Sequence, residues 1–222
     1  MDRERWLAPI LAAGAGLVGA AIAASPTPPE CLPGTRVPGC WEYALGQRLL
    51  YVHVPLAWVA YLGFIGATIG AVLVLARDSE PAGRWMRAAN ETTTIFAASA
   101  LAAGLAWSYE FPIYDPLADA KVQATIVLVA ALVGLWTLAA SANPAQRDRL
   151  VASLTPVAFL SVPASYYASR LVSPHPDFLR ETELTLVTGL LLAAATVGFA
   201  LLWLGITWLR QRTLRLEERP LW

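Results

Sequence analysis

The chain contains only two histidines, and each lies beside an apolar segment. His53 falls near the start of an apolar run over 49–76, and His175 follows the run over 150–168. A neutral imidazole is a common metal ligand, and two of them can hold one haem iron as axial ligands. The pair therefore predicts a shared metal or haem site if the fold brings both histidines to one face.

Each histidine also has a plain structural interpretation. A lone histidine at a membrane edge often satisfies a loop carbonyl, which is the alternative for His53. His175 stands between Pro174 and Pro176. Proline on both sides restricts the backbone, which would pre-position the imidazole or simply leave a solvated side chain in a rigid turn.

Aromatic and basic residues accompany the two histidines. Trp107, Tyr109 and Tyr114 lie between the third and fourth apolar runs, where their faces could stack on a flat macrocycle or form an ordinary aromatic belt. Arg170 precedes His175 and could pair with a carboxylate such as a haem propionate. The alternative for Arg170 is an arginine that extends to the membrane interface.

The composition is that of a membrane protein. The 222 residues are 57% hydrophobic and 14% charged, with a mean hydropathy of +0.52, whereas a soluble domain carries about 25% charged residues. The formal net charge is zero, which gives no indication of nucleic-acid binding. Without a phosphate loop or a zinc-protease motif, we predict one transmembrane domain over 1–222 that is not an enzyme.

Six apolar runs predict an all-α integral membrane protein with six transmembrane helices. The runs cover 7–24, 49–76, 88–107, 121–141, 150–168 and 184–209. Each is close to or above the roughly 20 residues that span the hydrocarbon core of a bilayer. The first run is interpreted as a retained helix rather than a signal peptide. The fifth contains Pro156 and Pro163, which predict a kink.

The distribution of lysine and arginine predicts the orientation. The N-terminus, 77–87, 143–149 and 210–222 together hold eleven such residues, against five in the remaining loops. The positive-inside rule then places both termini in the cytoplasm. The outer loops are 25–48, 108–120 and 169–183, so the candidate site lies on the periplasmic face of the inner membrane.

Cys31 and Cys40 lie close together in the first predicted outer loop. In an oxidising compartment such a pair favours a disulfide, and the prolines and glycines between them suit a tight loop. The alternative is a redox or metal-binding thiol pair.

Several residues outside this site also carry predictions. Trp136, Trp203 and Trp208 are interpreted as lipid or interface anchors. Glu91 lies near the cytoplasmic side, where we expect a solvated carboxylate or one paired with Arg87. The charged tail over 210–219 could contact anionic lipid or a partner ATPase.

The segment 51–58 reads Tyr-Val-His-Val-Pro-Leu-Ala-Trp and resembles the histidine motif of the haem exporter protein C family, CcmC-type proteins of cytochrome c biogenesis. Further short matches are 103–108 around Trp107, the Asp-Ala-Lys at 119–121, and His175. The resemblance covers roughly residues 45 to 180, and the motif around His53 is its specific part.

The resemblance implies a haem-handling role. Members of the family hold haem, expected here as haem b, at the outer face with two histidines as axial ligands, which correspond to His53 and His175. Lys121 stands where the family has an arginine, and it is expected with Arg170 near the propionates. The family works with the membrane and ATPase subunits of an ABC transporter and passes haem to a periplasmic haem chaperone.

The loop after Trp107 departs from the family pattern. Other residues stand at the family's further tryptophan positions, namely Pro112, Asp115, Pro116 and Ala118. Two alternatives therefore stay open. One is a non-haem structural or assembly subunit of a membrane transporter or respiratory complex, and the other is a b-haem electron-transfer subunit.

Overall fold

The structure is a computed structural model, and it describes residues 3–25, 40–108, 115–164, 167 and 185–218. For residues 3, 4 and 40–47 it describes the backbone alone. The described residues form helices joined by turns and short connections, and none of them lies in a β-strand.

A short 3-10 turn over Arg3–Trp6 leads into the first of six α-helices in the described part of the chain. The helices are α1 Leu7–Ala23, α2 Cys40–Arg77, α3 Glu80–Ser108, α4 Ala120–Ser141, α5 Pro144–Phe159 and α6 Leu186–Glu217. A turn at Leu160 follows α5, after which 161–164 are again helical.

Three of these helices are long and apolar enough to cross a membrane. They are Arg48–Arg77 within α2, Ala120–Ser141 and Leu186–Glu217. The helix α1 is apolar but shorter, at 17 residues. The predicted class, an all-α membrane protein, is confirmed, and the cytoplasmic location of both termini stays a prediction.

Several helices extend beyond the apolar runs. The helix α2 begins at Cys40 rather than 49, α3 at Glu80 rather than 88, and α5 at Pro144 rather than 150. Polar caps hold some of these starts, because a side-chain oxygen can satisfy an unpaired N–H of the first turn. Asn143 accepts from the Ala145 N–H at 3.0 Å.

The helix α5 ends at Phe159 because of a proline further along. Pro163 has no N–H, and its ring would clash with the carbonyl four residues earlier, which is that of Phe159. The N–H of Leu160 instead donates to the Val157 carbonyl at 3.2 Å, which is a tighter turn than an α-helix makes. The predicted irregularity of this segment is therefore a turn at Leu160.

The helices α2 and α3 form the centre of the bundle and are joined by only Asp78 and Ser79. The helix α1 packs mainly on α6, where two glycines meet. A Cβ atom at Gly14 would lie 2.8 Å from the Gly198 carbonyl oxygen, and one at Gly198 would lie 2.8 Å from that of Gly14. Small residues let two helix backbones approach closely in a membrane.

Trp203 corrects one prediction. Its side chain is buried in the main core with Phe64 and Phe96 rather than facing lipid. The indole N–H donates to the Thr93 hydroxyl at 3.1 Å. A tryptophan whose polar atom has an interior partner can be buried, so its interpretation as an interface anchor is wrong. Trp136 is 43% exposed, as an anchor should be.

Glu91 corrects a second prediction. Because α3 begins at Glu80, Glu91 lies three turns inside the helix, and it pairs with Arg210 of α6. Arg87, the expected partner, contacts Asp148 at 2.9 Å and Glu218. Side chains four residues apart on one helix are neighbours, but here both find partners on other helices.

Candidate functional site

The imidazole of His53 is held by the neighbouring helix. His53 lies on α2 and is half-buried, and its Nδ1 is 2.8 Å from the carbonyl oxygen of Ala100 on α3. A carbonyl oxygen can only accept, so Nδ1 carries the proton and donates it. In the neutral imidazole the lone pair is then on Nε2, which is the form that binds a metal.

Gly104 provides the space that the ring occupies. It lies one helical turn after Ala100 on α3. A Cβ atom at Gly104 would be 2.7 Å from Cε1 of His53 and 2.9 Å from Nδ1. Real Cβ atoms do not approach so closely, so any larger residue would displace the imidazole. Gly104 and the Ala100 carbonyl together set the position and the tautomer of His53.

Trp107 completes this contact. Its ring centroid is 6.3 Å from that of His53, and the two planes differ by 29°. Both side chains are half-buried. Ala100, Gly104 and Trp107 are separated by four and three residues and so occupy one face of α3. The structure therefore brings together two of the predicted site residues, His53 and Trp107.

Tyr51, in the same motif as His53, faces another part of the bundle. It is fully buried, in a cluster with Leu50 and Leu192 against which Ile22 packs. Residues two apart on a helix point to nearly opposite sides. The motif over 51–58 therefore anchors α2 on one side and presents the imidazole on the other.

Asp119 has a structural role at the start of α4. Its carboxylate is 2% exposed and accepts hydrogen bonds from the backbone N–H groups of Lys121 at 2.7 Å and Val122 at 3.2 Å. This is an N-cap, which also favours a negative charge at the helix start. The cap fixes the first turn of α4, and with it the half-buried Lys121.

His53 and Lys121 belong to the same end of the bundle. The apolar part of α2 starts there, α3 ends there with Trp107 and Ser108, and α4 begins there after Asp119. The predicted site residues His175, Arg170, Tyr109 and Tyr114 lie outside the described residues, as does Cys31. Of Cys40 the backbone alone is described, so the predicted disulfide stays a prediction.

The role of Ala100 is not predicted by its residue type. Every residue has a backbone carbonyl, so residue type does not show which one is used, but the sequence carries one signal. Small residues at 100, 103 and 104 precede Trp107 by helical spacings, which indicates a face of α3 that another element approaches closely. Within the described residues, no group of three or more His, Cys, Asp or Glu side chains could hold a metal ion.

Comparison with known proteins identifies the family of the chain. A family model described as cytochrome C assembly protein matches residues 4–176, which is most of the chain. The matched range includes His53, Trp107, Lys121 and His175. No curated protein matches the chain. On the strength of the family match, the chain belongs to the cytochrome c assembly protein family and takes part in cytochrome c biogenesis.

Proposed function

We propose that this protein binds haem as a cargo at its periplasmic face, through His53 and His175, and hands it to a haem chaperone during cytochrome c maturation. The family already implies an involvement with haem. The protein is then a carrier rather than an enzyme, and the ATP-hydrolysing step belongs to the subunits of an ABC transporter with which it assembles in the inner membrane.

The hydrogen bond from His53 to Ala100 is the observation that carries the proposal. A histidine that binds a metal usually donates its other ring N–H to a carbonyl or carboxylate, which fixes the tautomer and the ring orientation. His53 has this arrangement through Nδ1 at 2.8 Å. The space that Gly104 leaves allows the ring to reach this carbonyl.

Trp107 is proposed to support the imidazole rather than to form a platform for the macrocycle. The plane of an axial imidazole contains the bond to iron and therefore stands upright on the macrocycle. Because the Trp107 ring is within 29° of the His53 ring, it cannot also lie flat against the same macrocycle. Tyr109 and Tyr114 are the remaining aromatic candidates for that contact.

The proposal assigns charge neutralisation to Lys121 and Arg170. Haem carries two propionates, and a basic side chain at the rim of the site would pair with them. Lys121 is in the first turn of α4, whose start the Asp119 cap fixes. A lysine makes a point-charge contact, whereas Arg170 can bind a carboxylate through two parallel hydrogen bonds.

The first experiment is an absorption titration of the detergent-purified protein with haem. We expect a low-spin, six-coordinate spectrum in the wild type that is lost in His53→Ala and in His175→Ala. Arg149→Gln is the matched control, because Arg149 pairs with Asp78 in an exposed contact at the other end of the bundle.

The titration also decides between the proposal and its alternatives. Saturable haem binding that survives both histidine substitutions would contradict the ligand assignment. An absence of saturable binding in the wild type would contradict the haem-carrier role, and a structural or assembly subunit would then take its place. A bound haem that a quinol reduces and that is never transferred would indicate an electron-transfer subunit.

A further inference from the structure

Three arginines converge on one carboxylate at the end of the bundle opposite His53. Glu218 accepts from Nη2 of Arg147 at 2.7 Å, from Nη1 of Arg84 at 3.3 Å and from Nη2 of Arg87. Arg84 and Arg87 belong to α3, Arg147 belongs to α5, and Glu218 ends α6. We call these three side chains the arginine triad.

Two members of the triad also contact a carboxylate outside α6. Arg87 has a side chain only 5% exposed, and its Nε lies 2.9 Å from Oδ1 of Asp148. Arg147 approaches the same oxygen at 3.5 Å. The contact of Arg87 joins α3 to α5 and that of Arg147 lies within α5, so both side chains have a carboxylate contact that does not depend on Glu218.

The part of this cluster that is shielded from solvent holds more guanidinium groups than carboxylates. The three guanidinium groups face two buried or half-buried carboxylates, those of Asp148 and Glu218. A third carboxylate, Glu80, contacts Arg84 at 3.5 Å but is 86% exposed. Solvent screens the exposed Glu80 carboxylate, so within the shielded part of the cluster three guanidinium groups share two carboxylates.

Glu218 lies at the end of its helix. It caps α6, and the ends of helices fray. Burial acts to raise the pKa of Glu218, but the hydrogen bond and charge of Arg87, the hydrogen bond of Arg84 and the charge of Arg147 outweigh it and hold the pKa below its usual value. The carboxylate is therefore an anion that occupies a cationic site.

We propose that the arginine triad is a binding site for a phosphate group and that the Glu218 carboxylate is its internal occupant. A phosphate presents more acceptor oxygens than a carboxylate, and planar guanidinium groups bind either in the same forked manner. The phosphate could belong to an anionic phospholipid or to inorganic phosphate. Either would displace the end of α6 from α3 and α5.

The test measures ligand affinity through thermal stabilisation of the full-length protein in detergent. Three ligands are titrated at constant ionic strength: short-chain phosphatidylglycerol, short-chain phosphatidylcholine and inorganic phosphate. Glu218→Gln should bind the preferred ligand about tenfold more tightly than the wild type, which is the gain expected if the occupant fills the site about nine-tenths of the time. Arg147→Gln should abolish the stabilisation.

Arg149→Gln is the control, since Arg149 is adjacent in sequence but pairs with Asp78. Stabilisation by phosphatidylglycerol alone identifies a lipid site, and stabilisation by inorganic phosphate identifies a soluble ligand. The proposal is overturned if Glu218→Gln binds no ligand more tightly than the wild type, or if Arg147→Gln behaves like Arg149→Gln. If Glu218→Gln does not fold, Arg84→Gln is tested in its place. The proposal is then overturned if the ligands stabilise Arg84→Gln as much as they stabilise the wild type.

Discussion

The tautomer of the His53 imidazole determines which of its ring nitrogens could bind a metal. A helical carbonyl has a second lone pair, so the Ala100 oxygen can accept from His53 and still take part in its own helix. The hydrogen bond commits Nδ1 as the donor and leaves Nε2 as the basic atom. His53 is therefore already in the tautomer that the proposed iron binding requires.

Gly104→Ala tests this arrangement. The added methyl group would lie 2.7 Å from Cε1 of His53, so the ring must move and its bond to Ala100 must weaken. Loss of a partner of this kind costs a metal-binding histidine about 10- to 100-fold in affinity. We expect a haem affinity lower by about that factor, measured by absorption titration.

Gly134→Ala is the matched control for this prediction. A Cβ atom at Gly134, in α4, would meet nothing within 4 Å. Haem affinity in this variant should equal that of the wild type. An equal loss of affinity in both variants would mean that the effect of Gly104→Ala is not local to His53.

At the residue scale, the sequence predicted which residues could do chemistry better than it predicted which residues they contact. His53 was singled out because histidine is a metal ligand and occurs only twice, and Trp107 because it adjoins a conspicuous aromatic segment. The partner of Glu91 was predicted wrongly, because a long side chain can pair with an opposite charge on another helix that lies close in space. No sequence pattern reveals such distances.

At the scale of elements, the contact between α1 and α6 depends on two glycines. Each presents its backbone to the other, with only 2.8 Å between a notional Cβ of one and the carbonyl oxygen of the other. Membrane helices associate through such packing and hydrogen bonding, since lipid removes the hydrophobic driving force. A single methyl group added at this point should therefore weaken the packing of α1 on α6.

Gly14→Ala is expected to lower the free energy of unfolding by about 1–3 kcal/mol, the usual cost of overpacking. Gly16→Ala provides the comparison on the same helix, because a Cβ atom there has nothing within 4 Å. Thermal unfolding of both variants in one detergent measures the difference. Equal midpoints for the two would show that α1 and α6 do not approach as closely as described.

The elements were predicted from apolar runs, and their polar extensions were not. Six runs correspond to six helices, but α3 begins eight residues before its predicted start at 88. Hydropathy reports where a helix meets hydrocarbon, whereas caps and ion pairs decide where it ends. This is why the predicted tail over 210–219 is, as far as Glu218, a continuation of α6 packed against α3 and α5.

On the scale of the whole molecule, the two ends of the bundle have different chemistry. One end holds an imidazole and aromatic rings, and the other holds the arginine triad with its carboxylates. Ala100 and Arg87 are separated by about 20 Å along the axis of α3. The two proposed sites, for haem and for a phosphate group, therefore lie at opposite ends of the bundle.

The predicted orientation places the His53 end in the periplasm. Fusions of alkaline phosphatase, which is active only in an oxidising compartment, test it. We expect activity for a fusion after Leu117, between α3 and α4, and none for fusions after Asn143 or Trp222. The reverse pattern would move the haem site to the cytoplasm and contradict the proposed handover.

The pairing of the first helix with the last has a consequence for the order of assembly during synthesis. The helices α2 and α3 are separated by two residues, so they can form a hairpin, with His53 against Ala100, while later segments are still unmade. The helix α1 cannot make its main contact until residue 198 has been translated, because its main partner surface is on α6. Synthesis of α6, rather than insertion of α1, therefore closes the bundle.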